Sequence, residues 1–230
     1  MNFKTTIIFP LFSIILFFLF LELIFYFLPV SGDFDFNEMN EENQIFHAKK
    51  NNKVTFSKFW DFYNPQEINI NNYGFRNDNN YYKNKQNVIS IIGDSYVEAV
   101  QVQYNETFMN VFDEEIDQKY NVYSFGFSGA PLSQYLKWAD YSINVFNSKH
   151  LVFNIVGNDF DESLLKYKSS KGFHFFDNCG EKFCYVLIPY KKKKYRWIIR
   201  SNFVRYLIFN IQILNFKEKV IRKLNIMKNK

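Results

Sequence analysis

Three short polar motifs, each following an apolar run, could together form an acyl-transfer site. The first is Gly93-Asp94-Ser95, Gly129 lies 34 residues after Ser95, and Asn158 lies 29 residues after Gly129. A serine hydroxyl is a nucleophile, and a glycine N–H and an asparagine amide can donate hydrogen bonds to the oxygen that becomes negative during acyl transfer. The spacing therefore predicts one nucleophile and two oxyanion donors.

The segments around these motifs alternate between strand and helix patterns. Strands are predicted at 88–93, 122–127 and 150–156, and helices at 105–120 and 131–146, the first capped by Asn105. Alternation of this kind favours a parallel sheet with right-handed crossovers, and ligands of such sheets bind beyond the carboxyl ends of the strands. All three motifs are predicted to lie at that edge.

The N-terminal segment predicts a membrane anchor. Ile7 to Leu28 is almost continuously apolar, and 22 residues at a rise of about 1.5 Å span a hydrocarbon core. Lys4 precedes the run, which favours a cytoplasmic N-terminus and an extracytoplasmic body. A cleaved signal peptide is the alternative. Glu22 lies within two turns of the end of the run and is expected to snorkel, with a helix-pairing or functional role as the alternative. The acidic residues after the run are Asp33, Asp35, Glu38, Glu41 and Glu42.

The charges divide the chain into an acidic part and a basic part. Residues 191–230 carry 13 lysines and arginines and one glutamate, so residues 1–190 sum to −7 within the total of +5. A basic segment on an extracytoplasmic protein could contact anionic lipid, and nucleic acid is not expected as a partner. The apolar stretch from Trp197 to Phe216 contains Arg200 and Arg205, which disfavour a second span, so an interfacial helix or a helix covering a sheet edge is expected.

Two cysteines, Cys179 and Cys184, flank four residues. Two thiols with no histidine nearby do not make a structural zinc site, so no metal is expected there. Outside the cytoplasm the pair would tend to form a disulfide, and free buried thiols are the alternative.

The motifs resemble the SGNH/GDSL hydrolases, over about residues 70–165. Gly93-Asp94-Ser95 is similar to the first block of that family, Gly129 to the second and Gly157-Asn158-Asp159 to the third, with Val156 where the family usually has glycine. The resemblance implies a flavodoxin-like three-layer sandwich with a parallel sheet and no cofactor. It also implies Ser95 as the nucleophile, with its own amide, the Gly129 amide and the Asn158 side chain as the oxyanion hole, and Asp94 as support for the loop.

The fourth block of the family, Asp-x-x-His, has no match. Three residues before His47, His150 and His174 stand a glutamine, an asparagine and a lysine. The C-terminal part of the domain is therefore expected to be missing and the sheet incomplete. Two hypotheses follow, an extracytoplasmic serine esterase or acyltransferase, and a truncated inactive protein or non-catalytic binding module. A flavodoxin-like cofactor domain is disfavoured because no phosphate-cradling loop follows the first strand.

Four segments are predicted from these patterns. Residues 1–30 would be the transmembrane anchor, 31–70 a polar stalk and lead-in, 71–190 the hydrolase-like domain, and 191–230 a basic C-terminal segment with an apolar helix. The expected substrates are acyl esters, with envelope carbohydrate or lipid as candidates because of the anchor and the resemblance.

Overall fold

A computed structural model describes residues 3–39, 43–192 and 196–215, and the chain is mixed α/β. The helices are α1 (Phe3–Tyr26), α2 (Ser95–Glu98), α3 (Phe108–Glu115), α4 (Leu132–Phe146), α5 (Asp159–Glu162) and α6 (Asn202–Arg205). The strands are β1 (Asn52–Lys58), β2 (Tyr63–Ile70), β3 (Val88–Gly93), β4 (Asn121–Gly126), β5 (His150–Phe153), β6 (His174–Cys179) and β7 (Lys182–Leu187). Short 3₁₀ turns lie at Tyr104–Glu106, Arg196–Arg200 and Ile213–Asn215, and a π-helical turn at Tyr206–Asn210 follows α6.

The first helix is apolar on all sides. Within α1, the 19 residues Ile8–Tyr26 are long and apolar enough to span a membrane, and none of them is buried. At about 1.5 Å per residue they extend about 28 Å, close to the thickness of a hydrocarbon core. The predicted N-terminal apolar helix is therefore confirmed.

Three parallel strands form the central sheet, in the order β4-β3-β5. Each strand pairs in register, with Gly93 opposite Gly126 and Ile92 opposite Phe153. All six residues of β3 are buried, as expected for a strand covered on both faces. This confirms the predicted parallel α/β arrangement for these three strands.

Helices cover the sheet and complete the core. On one face, Ile91, Val97, Met109 and Val122 form a buried cluster. Elsewhere in the core, the fully buried Trp138 of α4 lies near the rings of Phe75 and Phe127, at centroid distances of 6.3 and 6.1 Å. Edge-to-face and tilted aromatic contacts of this kind add to the stabilisation from apolar burial. Aromatic residues therefore fill much of the core of this α/β unit.

The chain divides into two compact units. Of the described residues, the first contains 3–33, which include α1, together with 55–65 and 196–215, and the second contains those within 34–54 and 66–192. Strands β1 and β2 pair with each other and run through both units. The segment predicted as a stalk, 31–70, therefore supplies strands, and part of it belongs to the α/β unit. Part of the predicted basic segment, namely 193–195 and 216–230, lies outside the described residues.

Some predicted boundaries differ from the structure. The helix predicted at 105–120 is shorter, since Thr107, rather than Asn105, accepts a hydrogen bond from the Asn110 N–H and begins α3. The strand predicted to reach residue 156 ends at Phe153, because its partner β3 ends at Gly93 and offers no further ladder.

The hairpin of β6 and β7 carries the two cysteines. The strands pair antiparallel, with Cys179 opposite Lys182 and Cys184 opposite Asp177. A disulfide joins Cys179 to Cys184, with the Cα atoms 5.7 Å apart. Gly180 supplies the turn at a φ of +80°, a conformation that glycine adopts without a steric penalty.

Candidate active site

The three predicted site residues follow three adjacent parallel strands at the same edge of the sheet. Ser95 begins α2 just after β3, Gly129 lies between β4 and α4, and Asn158 lies just before α5 and after β5. The strand that carries Ser95 is the central one of the three. Neighbouring strands are about 4.8 Å apart, so the three residues follow strands that lie side by side, with the strand before Ser95 in the middle.

Asp94 shapes the turn that presents Ser95. Its Oδ1 accepts from the Tyr96 N–H at 3.0 Å, and its Oδ2 accepts from the Ser95 hydroxyl at 3.4 Å. Asp94 thus caps α2, whereas Ser95 stays partly exposed. Gly93 has no room for a side chain, because a Cβ there would lie 2.5 Å from Val97 Cγ2. The Gly-Asp-Ser sequence is therefore fitted to this turn.

A buried carboxylate fixes the corner at Gly129. Glu98 Oε2 accepts from the Ser128 N–H at 2.7 Å and also from the Ser128 hydroxyl. Arg76, itself buried, donates to the backbone oxygen of Glu98 at 2.8 Å. Burial raises the pKa of the Glu98 carboxyl, against the hydrogen bonds from Ser128 and the charge of Arg76. Gly129, at a φ of +80°, follows directly on this anchored residue.

A second buried carboxylate fixes the turn that carries Asn158. Asp159 is fully buried, and its Oδ2 accepts from the Val156 N–H at 2.8 Å and the Tyr135 hydroxyl at 3.0 Å. Its Oδ1 has no hydrogen-bond partner in the part of the chain that the structure describes. Burial, together with the charges of nearby carboxylates, raises the pKa of Asp159. Asn158 is exposed and makes no side-chain bond to cap α5, which leaves its amide available as a donor.

A lysine lies beside the Gly129 corner. A Cβ at Gly129 would be 3.7 Å from Lys168 Nζ, and this ammonium group forms an ion pair with Glu162. Both side chains are mostly buried. Sequence reasoning missed Lys168 because no motif marks it in a lysine-rich chain. It also left the role of Glu98 unassigned, since its partner Ser128 is 30 residues away.

None of the three histidine rings is hydrogen-bonded to Ser95. His47 Nδ1 contacts Ala48 O at 2.8 Å, and His174 Nδ1 contacts Gln134 Oε1 at 2.9 Å. His150 begins β5 and pairs with Ile89, which lies four residues before the end of β3. At about 3.3 Å per residue, the backbone of His150 is therefore at least about 13 Å from the end of β3, which Ser95 follows. Burial lowers the pKa of both His47 and His174, the latter to about 4.

The arrangement thus combines a candidate nucleophile, Ser95, with two candidate donors, and no imidazole is hydrogen-bonded to the Ser95 hydroxyl. Within residues 3–39, 43–192 and 196–215, no group of three metal-ligating side chains could hold a metal ion. A serine with oxyanion donors suits acyl transfer, in which an ester carbonyl oxygen gains negative charge. The hydroxyl is activated only when a neighbouring base takes its proton.

Comparison with known proteins adds no relative: no family model matches the chain, and no curated protein matches it.

Proposed function

We propose that this chain carries an SGNH-type acyl-ester site with Ser95 as its nucleophile. The backbone amides of Ser95 and Gly129 and the side chain of Asn158 would stabilise the oxyanion. The observation that carries this proposal is the placement of the three residues beyond the carboxyl ends of three adjacent parallel strands. Ligands of open α/β sheets bind at that edge.

The sheet topology supports the same proposal. Numbered along the chain, the strand order β4-β3-β5 is 2-1-3, which is the first part of the flavodoxin-like order. The proposed nucleophile, Ser95, follows directly after strand 1, at the point where the strand order reverses. We therefore propose a flavodoxin-like SGNH fold for the α/β unit, preceded by a membrane anchor.

The membrane location would select the substrate. A helix of the length and apolarity of α1 would hold the α/β unit at a bilayer surface, on the extracytoplasmic side if Lys4 stays inside. Acyl esters of envelope carbohydrate or of lipid are the substrates that such a location offers. The activity would be ester hydrolysis or acyl transfer.

A second candidate function is a catalytically inactive, non-catalytic binding module. It is favoured by one observation: the Ser95 hydroxyl contacts the Asp94 carboxylate, and all three imidazoles have other partners. In serine triads, loss of one member leaves roughly 10³–10⁴-fold rate enhancement over water, from the oxyanion hole and binding. The chain alone would then turn over slowly or not at all.

Hydrolysis of an activated aryl ester by the full chain separates the two candidates. An esterase site predicts slow turnover that Ser95→Ala abolishes and that Asn158→Ala lowers by about 10²-fold. Absence of any turnover dependent on Ser95, with ligand binding retained, would favour the binding module. Fast turnover that is lost on replacing His47 or His174 would show that one of them is the base.

A further inference from the structure

The C-terminal segment packs against the last two turns of α1. The ring of Phe203 lies 6.2 Å from Phe18 and 5.4 Å from Phe25, and the ring of Tyr206 lies 4.5 Å from Phe25. Phe18 and Phe25 are seven residues apart, a rise of about 10 Å along the helix. Both belong to the stretch that is long enough to span a membrane. A segment in contact with them therefore reaches the depth of the bilayer.

Glu22 attaches this segment to α1. Its carboxylate accepts from the Ser201 hydroxyl at 2.6 Å, the Asn202 N–H at 2.7 Å, the Asn202 side-chain amide at 2.8 Å and the Phe203 N–H at 3.2 Å. A carboxylate on an apolar helix is costly in lipid unless its oxygens are satisfied by donors. These four donors satisfy both oxygens of Glu22.

The same unit exposes large apolar side chains around the end of α1. The turn before β2 belongs here, since its Phe62 ring lies 6.5 Å from Phe25 and the Tyr206 hydroxyl donates to Trp60 O at 3.0 Å. Trp60 and Trp197 are each 69% exposed. We call the following exposed residues the apolar collar: Phe59, Trp60, Tyr63, Trp197, Ile198, Ile211, Ile213 and Leu214.

We propose that the apolar collar is embedded in the lipid leaflet in which α1 ends, so that residues 196–214 form a membrane-embedded element that does not cross. The proposal rests on α1 spanning the membrane. Trp and Tyr are the side chains enriched at the membrane–water interface, which fits Trp60, Tyr63 and Trp197. Arg196 pairs with Asp33 and Arg200 is exposed, so these guanidinium groups would lie at the headgroups.

Depth-dependent quenching of tryptophan fluorescence tests the proposal. The chain has three tryptophans, and Trp138 is fully buried in the other unit, which makes it the internal control. The full chain is reconstituted into vesicles of ordinary or brominated phosphatidylcholine, as variants that retain one tryptophan each and have phenylalanine at the other two positions. Emission from Trp60 and Trp197 should fall about twofold or more in brominated lipid, because interfacial indole rings contact the acyl chains. Emission from Trp138 should not change.

If the protein floats with the vesicles, two results would overturn the proposal: equal quenching of all three tryptophans, or no quenching of any of them. Failure to float would overturn the anchor together with the collar. These outcomes do not depend on esterase activity, so they are separate from any test of Ser95.

A matched pair of variants tests the attachment by Glu22. Glu22→Leu removes both acceptors and should reduce the quenching of Trp197, whereas Glu22→Gln keeps one oxygen and should retain most of it. Unchanged quenching in Glu22→Leu would show that the segment reaches the lipid without this carboxylate, and the attachment would be wrong. Each Glu22 substitution is also made in the variant that retains only Trp138, whose emission reports whether the α/β unit is folded.

Discussion

The carboxylate of Glu98 should stabilise the Gly129 corner measurably through its two bonds to Ser128. Ser128→Ala removes the hydroxyl donor and keeps the N–H. A hydrogen bond to a charged group contributes about 1.5–3 kcal/mol, so this change should lower the free energy of unfolding by about 2 kcal/mol. Glu98→Gln keeps one acceptor oxygen but loses the charge, and it removes a carboxylate whose charge acts on the buried Arg76. We expect a loss of about 3 kcal/mol.

A double-mutant cycle measures the coupling between Glu98 and Ser128. Because the two side chains share a hydrogen bond, the loss in the double variant should fall short of the sum of the single losses by about 1.5 kcal/mol. The assay is urea unfolding of the full chain in detergent micelles, followed by the emission of Trp138 with the other two tryptophans replaced by phenylalanine. Ser169→Ala is the control, since Ser169 is exposed and a surface substitution should change stability by less than about 0.5 kcal/mol.

A coupling energy below about 0.5 kcal/mol would refute this account of the corner, because residues that share a charged hydrogen bond do not behave additively. The same variants bear on chemistry. If Ser128 is anchored in order to aim the Gly129 amide, the reaction of Ser95 should slow in Glu98→Gln by up to about 10²-fold, the effect of losing one oxyanion donor. If the contact between Glu98 and Ser128 has only a structural role, Glu98→Gln should lower stability and leave the rate of the Ser95 reaction unchanged.

Three further outcomes are expected. Alkaline phosphatase fused after Lys85 should be active, as the positive-inside tendency requires, and activity only of a cytoplasmic reporter at that position would reverse the orientation. Under non-reducing conditions the peptide that carries Cys179 and Cys184 should be lighter by two hydrogens, whereas quantitative alkylation of both native thiols would exclude the disulfide. Burial lowers the pKa of His174 from 6.5 to about 4, so its contribution to stability is complete above pH 6.5 and is lost as the pH falls through about 4. One pKa unit corresponds to about 1.36 kcal/mol, so between pH 7 and pH 4 the free energy of unfolding should fall by about 3 kcal/mol more in the wild type than in His174→Asn. Equal falls in the two proteins would contradict the burial of a neutral ring.

The local signals in the sequence were sufficient for the α/β unit near the site. The strand at Val88–Gly93 was predicted at its exact bounds because it is a short apolar, β-branched run ended by glycine. The strand β4 and the helix α4 were predicted within one residue, since both have clear periodicity and Pro131 marks the start of the helix. Such elements depend on their own residues, which is why a single sequence predicts them.

Features that depend on distant partners were not predictable. The apolar stretch after Trp197 was expected to be one helix, but it begins as a 3₁₀ turn and then restarts at Asn202, where Glu22 caps it from 180 residues away. The role of Glu98 depends on Ser128, and the ion pair of Lys168 with Glu162 is placed against Gly129 only by the fold. No pattern within a single segment of sequence records such pairings.

The reactivity of Ser95 toward a fluorophosphonate tests the central claim most directly. Peptide mass spectrometry of the labelled full chain should locate the adduct on Ser95, formed slowly because no imidazole is bonded to the hydroxyl. The rate should fall by about 10²-fold in Asn158→Ala, which removes a donor to the phosphonyl oxygen, and labelling should be absent in Ser95→Ala. Labelling spread over other serines, or a rate at Ser95 that is indifferent to Asn158→Ala, would contradict an acyl-transfer site at these strand ends.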